Sequence, residues 1–194
     1  MKPGLTSIVE DARACQICKS SLPLGPRPVF QVDEGARILI AGHAPGLKVH
    51  ESGVPFDDPS GERLRDWMGV DKAIFYDAAK IAILPMGFCY PGRGKSGDLP
   101  PRPECAPEWR QKMLDELPDL ALTLVIGQYA QRWHFGKDGY GSLTERLIDW
   151  RNGSDTEIAL PHPSPRNNIW LKRNPWFAEH LVPHVRTRVA SVLK

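Results

Sequence analysis

Arg37-Ile-Leu-Ile-Ala-Gly-His-Ala-Pro-Gly46 is a short apolar run that stops abruptly at a glycine. A run of this length, flanked by Gly and Pro, reads as a strand buried on both faces. The strand therefore covers Arg37–Ala41. Ala78–Leu84, Leu120–Ile126 and Thr156–Leu160 repeat the pattern. Around them, apolar residues recur at helical spacing over Ser7–Cys15, Gly61–Met68, Ala106–Glu116, Gln128–Phe135 and Leu143–Arg151. Pro175–Leu193 reads as a last helix, kinked or split at Pro183. Strands alternating with helices predict an α/β protein, its parallel sheet covered on both faces.

The 194 residues suffice for one compact domain, expected to span 1–194. The formal charge of +2 does not by itself argue for nucleic-acid binding. The placement of the basic residues says more. They recur at Arg93–Lys95, Arg102 and Arg166–Arg173, in or beside Pro/Gly-rich loops where phosphate contacts are useful. No apolar run is long enough to span a membrane, and Met1–Ser7 lacks an apolar signal core. A cytoplasmic protein is the expectation.

Each expected strand ends in an unusual loop. Gly42–Gly46 follows the first and Pro85-Met-Gly-Phe-Cys-Tyr-Pro-Gly92 the second. Gly127-Gln-Tyr129 follows the third and Pro161-His-Pro-Ser-Pro165 the fourth. Open α/β sheets bind ligands at the carboxyl ends of their strands. Four such loops at one end of one sheet predict one site.

The chemistry of these loops can be read residue by residue. Gly42 and Gly46 let backbone approach a ligand closely, and Pro45 fixes the turn between them. Phe56 stands in the Pro-rich stretch Gly53-Val-Pro-Phe56, off any periodic apolar face. A ring so placed can stack on a base drawn out of the helix, and equally can plug the core beneath the loop. Ser60 reads as the N-cap of the next helix, whose start can receive a phosphate. His162, between a strand and two prolines, can donate a hydrogen bond to charge developing on a base carbonyl. Arg166-Asn-Asn168 follows, suited to phosphates or to a gap in the duplex. Cys15-x2-Cys18 and Cys89-x15-Cys105 offer four thiolates. Zinc, an iron–sulfur cluster and four buried thiols are all compatible with that spacing.

In combination, Gly-x-Ala-Pro-Gly46, Gly-x-Pro-Phe56 with the later Ser60-Gly61, and His162-Pro-Ser-Pro165 resemble the motifs of the uracil-DNA glycosylase superfamily. The resemblance is closest to the bacterial and archaeal branch that carries an iron–sulfur cluster, and it covers about residues 12 to 190. It implies a three-layer α/β/α sandwich with a central four-stranded parallel sheet. It implies a monomeric enzyme that flips uracil out of DNA, hydrolyses its N-glycosidic bond and releases free uracil, starting base excision repair.

Under this resemblance His162 and His43 are the catalytic residues. Phe56 stacks on the base, His162 stabilises charge on its O2, and Gly42, Ala44, Pro45 and Gly46 shape the turn that holds the attacking water. Ser60, Ser164, Arg166 and Asn167 contact DNA. Cys15, Cys18, Cys89 and Cys105 hold a 4Fe–4S cluster, which the chemistry itself does not need. Three departures from the family pattern stand out. His43 occupies a position that is often acidic in this branch. Leu84-Pro-Met-Gly-Phe88 lacks the Asn that reads the uracil edge, leaving Met86, Gly87 and Asn167 or Asn168 to replace it. The loop before His162 lacks the basic insertion of the covalently trapping members, so turnover is expected. Two further readings follow: a glycosylase for hypoxanthine or xanthine, and a weakly catalytic protein that binds abasic or single-stranded DNA.

Overall fold

The computed structural model describes residues 4–95, 97–136 and 142–194. Of the N-terminal stretch read above, Met1–Pro3 lie outside them. The central sheet contains β1 (Ile38–Ala41), β2 (Ile81–Ile83), β5 (Leu122–Ile126) and β6 (Glu157–Leu160). Their order is β2-β1-β5-β6 and every pairing is parallel. Between β2 and β5 in sequence, β3 (Arg93–Gly94) and β4 (Gly97–Asp98) form a small antiparallel hairpin.

Helices cover both faces of the sheet, so the fold is the three-layer α/β sandwich expected. In chain order they are α1 (Leu5–Arg13), α2 (Leu47–Ser52), α3 (Pro59–Met68), α4 (Lys72–Phe75) and α5 (Gln111–Leu114). They continue with α6 (Gly127–Phe135), α7 (Leu143–Ile148), α8 (Asn168–Arg173) and α9 (Val182–Val192). Alternation along the strands supplies both faces with apolar side chains. Ile38, Ile40, Leu122, Leu124 and Ile126 meet α3, α7 and α9 through Leu64, Trp67, Leu147 and Val185. Leu39, Ala82 and Leu84 face the other way, onto Leu5 and Ile8 of α1 and Met113 of α5.

Local chemistry sets the boundaries. The second strand begins at Ile81, not Ala78, because Asp77 turns the chain: its carboxylate accepts from the Ala79 N–H at 3.1 Å and pairs with Lys80 at 3.0 Å. The outer edge of β2 is covered by Gln31, whose N–H and C=O exchange hydrogen bonds with Ile83. The expected final helix is divided near Pro183: a wide π-helical turn over Phe177–Leu181 precedes α9, with Pro183 in its first turn. The expected helix Ala106–Glu116 likewise opens with a π-helical turn, Ala106–Arg110, before α5.

Arg110 is fully buried. Its Nε donates to the Leu84 carbonyl at 2.9 Å. One terminal nitrogen reaches His134 Nε2 at 2.8 Å, and His134 Nδ1 meets Glu157 at 2.9 Å. Burial pulls the guanidinium pKa down to about 10, so it remains charged at neutral pH. The chain from Arg110 to Glu157 ties the π-helical turn to the end of β2, to α6 and to β6. Arg110→Ala should cost about 2–3 kcal/mol in urea unfolding, from lost packing and an unpaired Leu84 carbonyl. Arg110→Met should recover the packing part of that loss only.

Candidate active site

The carboxyl ends of the strands open into a cavity of about 830 Å³. Its walls come from the turn after β1, the Pro55–Ser60 loop, the β3–β4 hairpin, the start of α6 and the loop after β6. Gly42, His43, Ala44, Pro45, Gly46, Phe56, Ser60, His162, Ser164, Arg166 and Asn167 all line it. Three residues nominated for base binding do not. Met86 is buried against Ala41, Ala106 and Val125. The Gly87 N–H donates to the His43 carbonyl at 3.1 Å, and Gly87 packs behind Ala44. Asn168 is exposed at the start of α8.

Phe56 has a backbone φ of 55°, in the left-handed region that β-carbon-bearing residues rarely adopt. That turn lays its carbonyl against the first turn of α3, where a Cβ at Gly61 would collide with it. Gly61 is therefore required for the shape of the loop. The N-cap of α3 is Asp58, not Ser60: Asp58 Oδ1 accepts from the Gly61 N–H at 2.9 Å. Pro59 takes the first helical position, where its missing N–H costs nothing. So held, the Phe56 ring lies over Gly42 and packs edge-on against Phe75, with centroids 6.2 Å apart. It serves the core and the cavity together.

His162 is fixed by its own loop. The Ser164 N–H donates to Nδ1 at 3.2 Å. In the neutral ring Nδ1 is then the acceptor, and Nε2 carries the proton. Burial, with a smaller contribution from His43, pulls its pKa down to about 4. The ring is thus a neutral hydrogen-bond donor across the physiological range. Asn167 braces the loop, donating to the His162 carbonyl at 2.7 Å. Arg63, which sequence reasoning passed over, donates from α3 to the carbonyls of Pro163 and Ser164, both at 3.2 Å.

His43 stands edge-on to Tyr129, centroids 5.1 Å apart. Burial lowers its pKa, while the charge of Asp98 and the Ala44 backbone oppose that shift. Asp98, also passed over in the sequence, reaches the cavity from β4. Lys48, Lys95 and Arg166 add positive charge along the walls. The Arg166 guanidinium packs so closely on the hairpin that a Cβ at Gly97 would collide with it.

On the far side of the Pro85–Gly92 loop, Cys15, Cys18, Cys89 and Cys105 line one small separate cavity. Among the described residues, no group of three or more His, Cys, Asp or Glu is placed to hold a metal ion. The donor set is nevertheless all thiol, and two sulfurs already accept N–H bonds. Trp109 Nε1 donates to Cys15 at 3.2 Å and the Phe88 N–H to Cys105 at 3.3 Å. Burial pushes the Cys89 thiol up to about 11 and the Cys105 thiol up to about 12. A metal bound there must displace those protons. No helix among the described residues is long and apolar enough to cross a membrane.

The depressed pKa of His162 sets a pH dependence of stability. Between pH 6.5 and about 4 the unfolded chain takes up a proton that the folded ring refuses. Stability then falls with pH across that window, by about 3 kcal/mol from this one residue. In urea melts at stepped pH, His162→Gln should show a shallower acid loss than the wild type.

Residues 29–186 match the family model of the uracil DNA glycosylase superfamily. That span contains every residue lining the cavity, from Val29 to Asn167, and it takes in Cys89 and Cys105 but starts after Cys15 and Cys18. The chain belongs to the uracil DNA glycosylase superfamily.

Proposed function

We propose that this member excises uracil from DNA by hydrolysing its N-glycosidic bond. The observation that carries the reading is the tautomer of His162, a neutral ring whose Nε2–H is the remaining donor, in a cavity also lined by Phe56 and Tyr129. As the C1′–N1 bond lengthens, negative charge moves onto the base carbonyls. A preorganised donor stabilises that charge and has little to offer the ground state. Phe56 stacks on the extruded base, which recovers about 1–3 kcal/mol of the unstacking cost. Lys48, Lys95 and Arg166 hold phosphates at the cavity mouth, so the affinity is salt-dependent. The turn Gly42–Gly46 positions the water that attacks C1′. The enzyme acts as a monomer.

A second reading within the same class rests on the wall after β2. Pro85 lines the cavity there, and proline has no N–H to read a base edge. A cavity of this volume also admits a purine, so hypoxanthine and xanthine stand as alternative substrates.

We further propose that Cys15, Cys18, Cys89 and Cys105 hold a 4Fe–4S cluster, as in the iron–sulfur branch of the superfamily. A cluster of several irons spreads its thiolates more widely than a single ion does. The N–H bonds to Cys15 and Cys105 are of the kind that stabilise cluster sulfurs. The cluster joins the end of α1 to the Cys89–Cys105 loop and takes no part in bond cleavage.

Oligonucleotides carrying uracil, hypoxanthine or xanthine, each followed by alkali to cut at abasic sites, test the activity. Strand scission is expected for uracil with the wild type. His162→Ala should lower the single-turnover rate by roughly 10²–10³. Scission confined to a purine substrate would select the second reading, and none with any substrate would reject both. Protein purified without oxygen should be brown, with broad visible absorbance. Cys89→Ser should lose the colour and lower the melting temperature.

A further inference from the structure

The chemistry proposed above needs a group that takes the proton of the attacking water. The turn after β1 offers little from its backbone. The Gly42 carbonyl accepts from the Met86 N–H at 3.0 Å, the His43 carbonyl from Gly87 at 3.1 Å, and the Gly46 carbonyl from His50 at 2.9 Å. A carbonyl can orient water, but it does not accept the proton. Among the described residues two carboxylates line the cavity, Asp58 and Asp98. Asp58 is engaged as the cap of α3. Asp98 remains. Its Oδ2 lies 3.4 Å from where a Cβ on Gly46 would stand, directly over the turn.

We propose that Asp98, carried on the β3–β4 hairpin, is the positioning carboxylate that makes His43 the base for the attacking water. This deepens the glycosylase reading and rests on it. The two residues line one cavity, His43 from the turn after β1 and Asp98 from β4. His43 reaches the water directly, and Asp98 acts through His43. In the step, the water oxygen bonds to C1′ while the C1′–N1 bond breaks. The bonding pair leaves with N1, and the water proton passes to the free nitrogen of the His43 ring. Burial lowers the His43 pKa, and the negative charge of Asp98 opposes that shift, which favours the resulting imidazolium.

Among the described residues, the titratable groups around His43 are Asp98 from β4, His162 from the loop after β6 and Tyr129 from α6. Lys48, Lys95 and Arg166 line the cavity around them. His162 is neutral at the working pH, so of these groups Asp98 supplies the favourable charge.

Single-turnover excision from a uracil-containing oligonucleotide, followed across pH at saturating enzyme, tests the assignment. Asp98→Asn should lower the plateau rate roughly tenfold or more with DNA affinity unchanged. The acid limb of its profile should move to lower pH, because His43 loses the charge that favours its proton. Asp98→Glu should restore part of the rate. In a His43→Gln background, Asp98→Asn should cost nothing further. An equal cost in that background, or a loss confined to DNA affinity, would overturn the proposal. Proton NMR of the His43 ring, assigned with His43→Gln, gives a readout that needs no substrate. His43 should titrate at lower pH in Asp98→Asn than in the wild type, and an unmoved titration overturns the pairing. A wild type that leaves uracil in place would reject the uracil reading, while the NMR result still decides between His43–Asp98 coupling and its absence.

Discussion

Pairing between the first two strands does not stop where the strands stop. Leu84 donates to Ile40, Met86 to Gly42 and Gly87 to His43, so the ladder runs three amides into the loops. Backbone groups buried at a sheet's end must find partners, and here they find each other. The result is a loop with the rigidity of a strand. It sets the height of the His43 ring above the sheet, and it lets Phe56 close over Gly42. The next amide along, that of Phe88, turns to the Cys105 sulfur. Successive peptide groups thus hold the turn after β1 on one side and the cysteine cavity on the other.

The cavity is therefore built on elements with little freedom. His162 is fixed by Ser164 and its loop by Asn167 and Arg63. Phe56 is fixed by Phe75 and by the start of α3. In the proposed reaction such groups need little reorganisation when charge develops on the base.

Much of this was legible in the sequence, and the omissions have physical causes. Buried strands show as apolar runs, so β1, β2, β5 and β6 were readable, with ends displaced only where a side chain such as Asp77 turns the chain early. The motifs around Gly42, Phe56 and His162 were readable because glycine and proline punctuate them. The helices α2, α4 and α8 have six, four and six residues, too few to display a period. The hairpin has two-residue strands and no apolar alternation, so nothing announced it, and Asp98 was hidden with it. Serine suits the capping role, so residue type alone points to Ser60. Proline at the first helical position was the better signal, since it points to Asp58. Met86 and Gly87 stand just beyond β2, where their N–H groups bond to the Gly42 and His43 carbonyls, a pairing that residue types do not announce. Asn168 falls one residue beyond the braced loop, on the solvent side of α8.

The left-handed turn at Phe56 has a consequence for how this protein can change over generations. Its carbonyl rests where any side chain at position 61 would have to be, so the two sites are not independent currencies of variation. A lineage that replaces Gly61 must first rebuild the turn, and a lineage that rebuilds the turn moves the aromatic wall of the cavity. Drift at a helix start, usually harmless, is here bound to the shape of the pocket. The two positions should be inherited together or lost together.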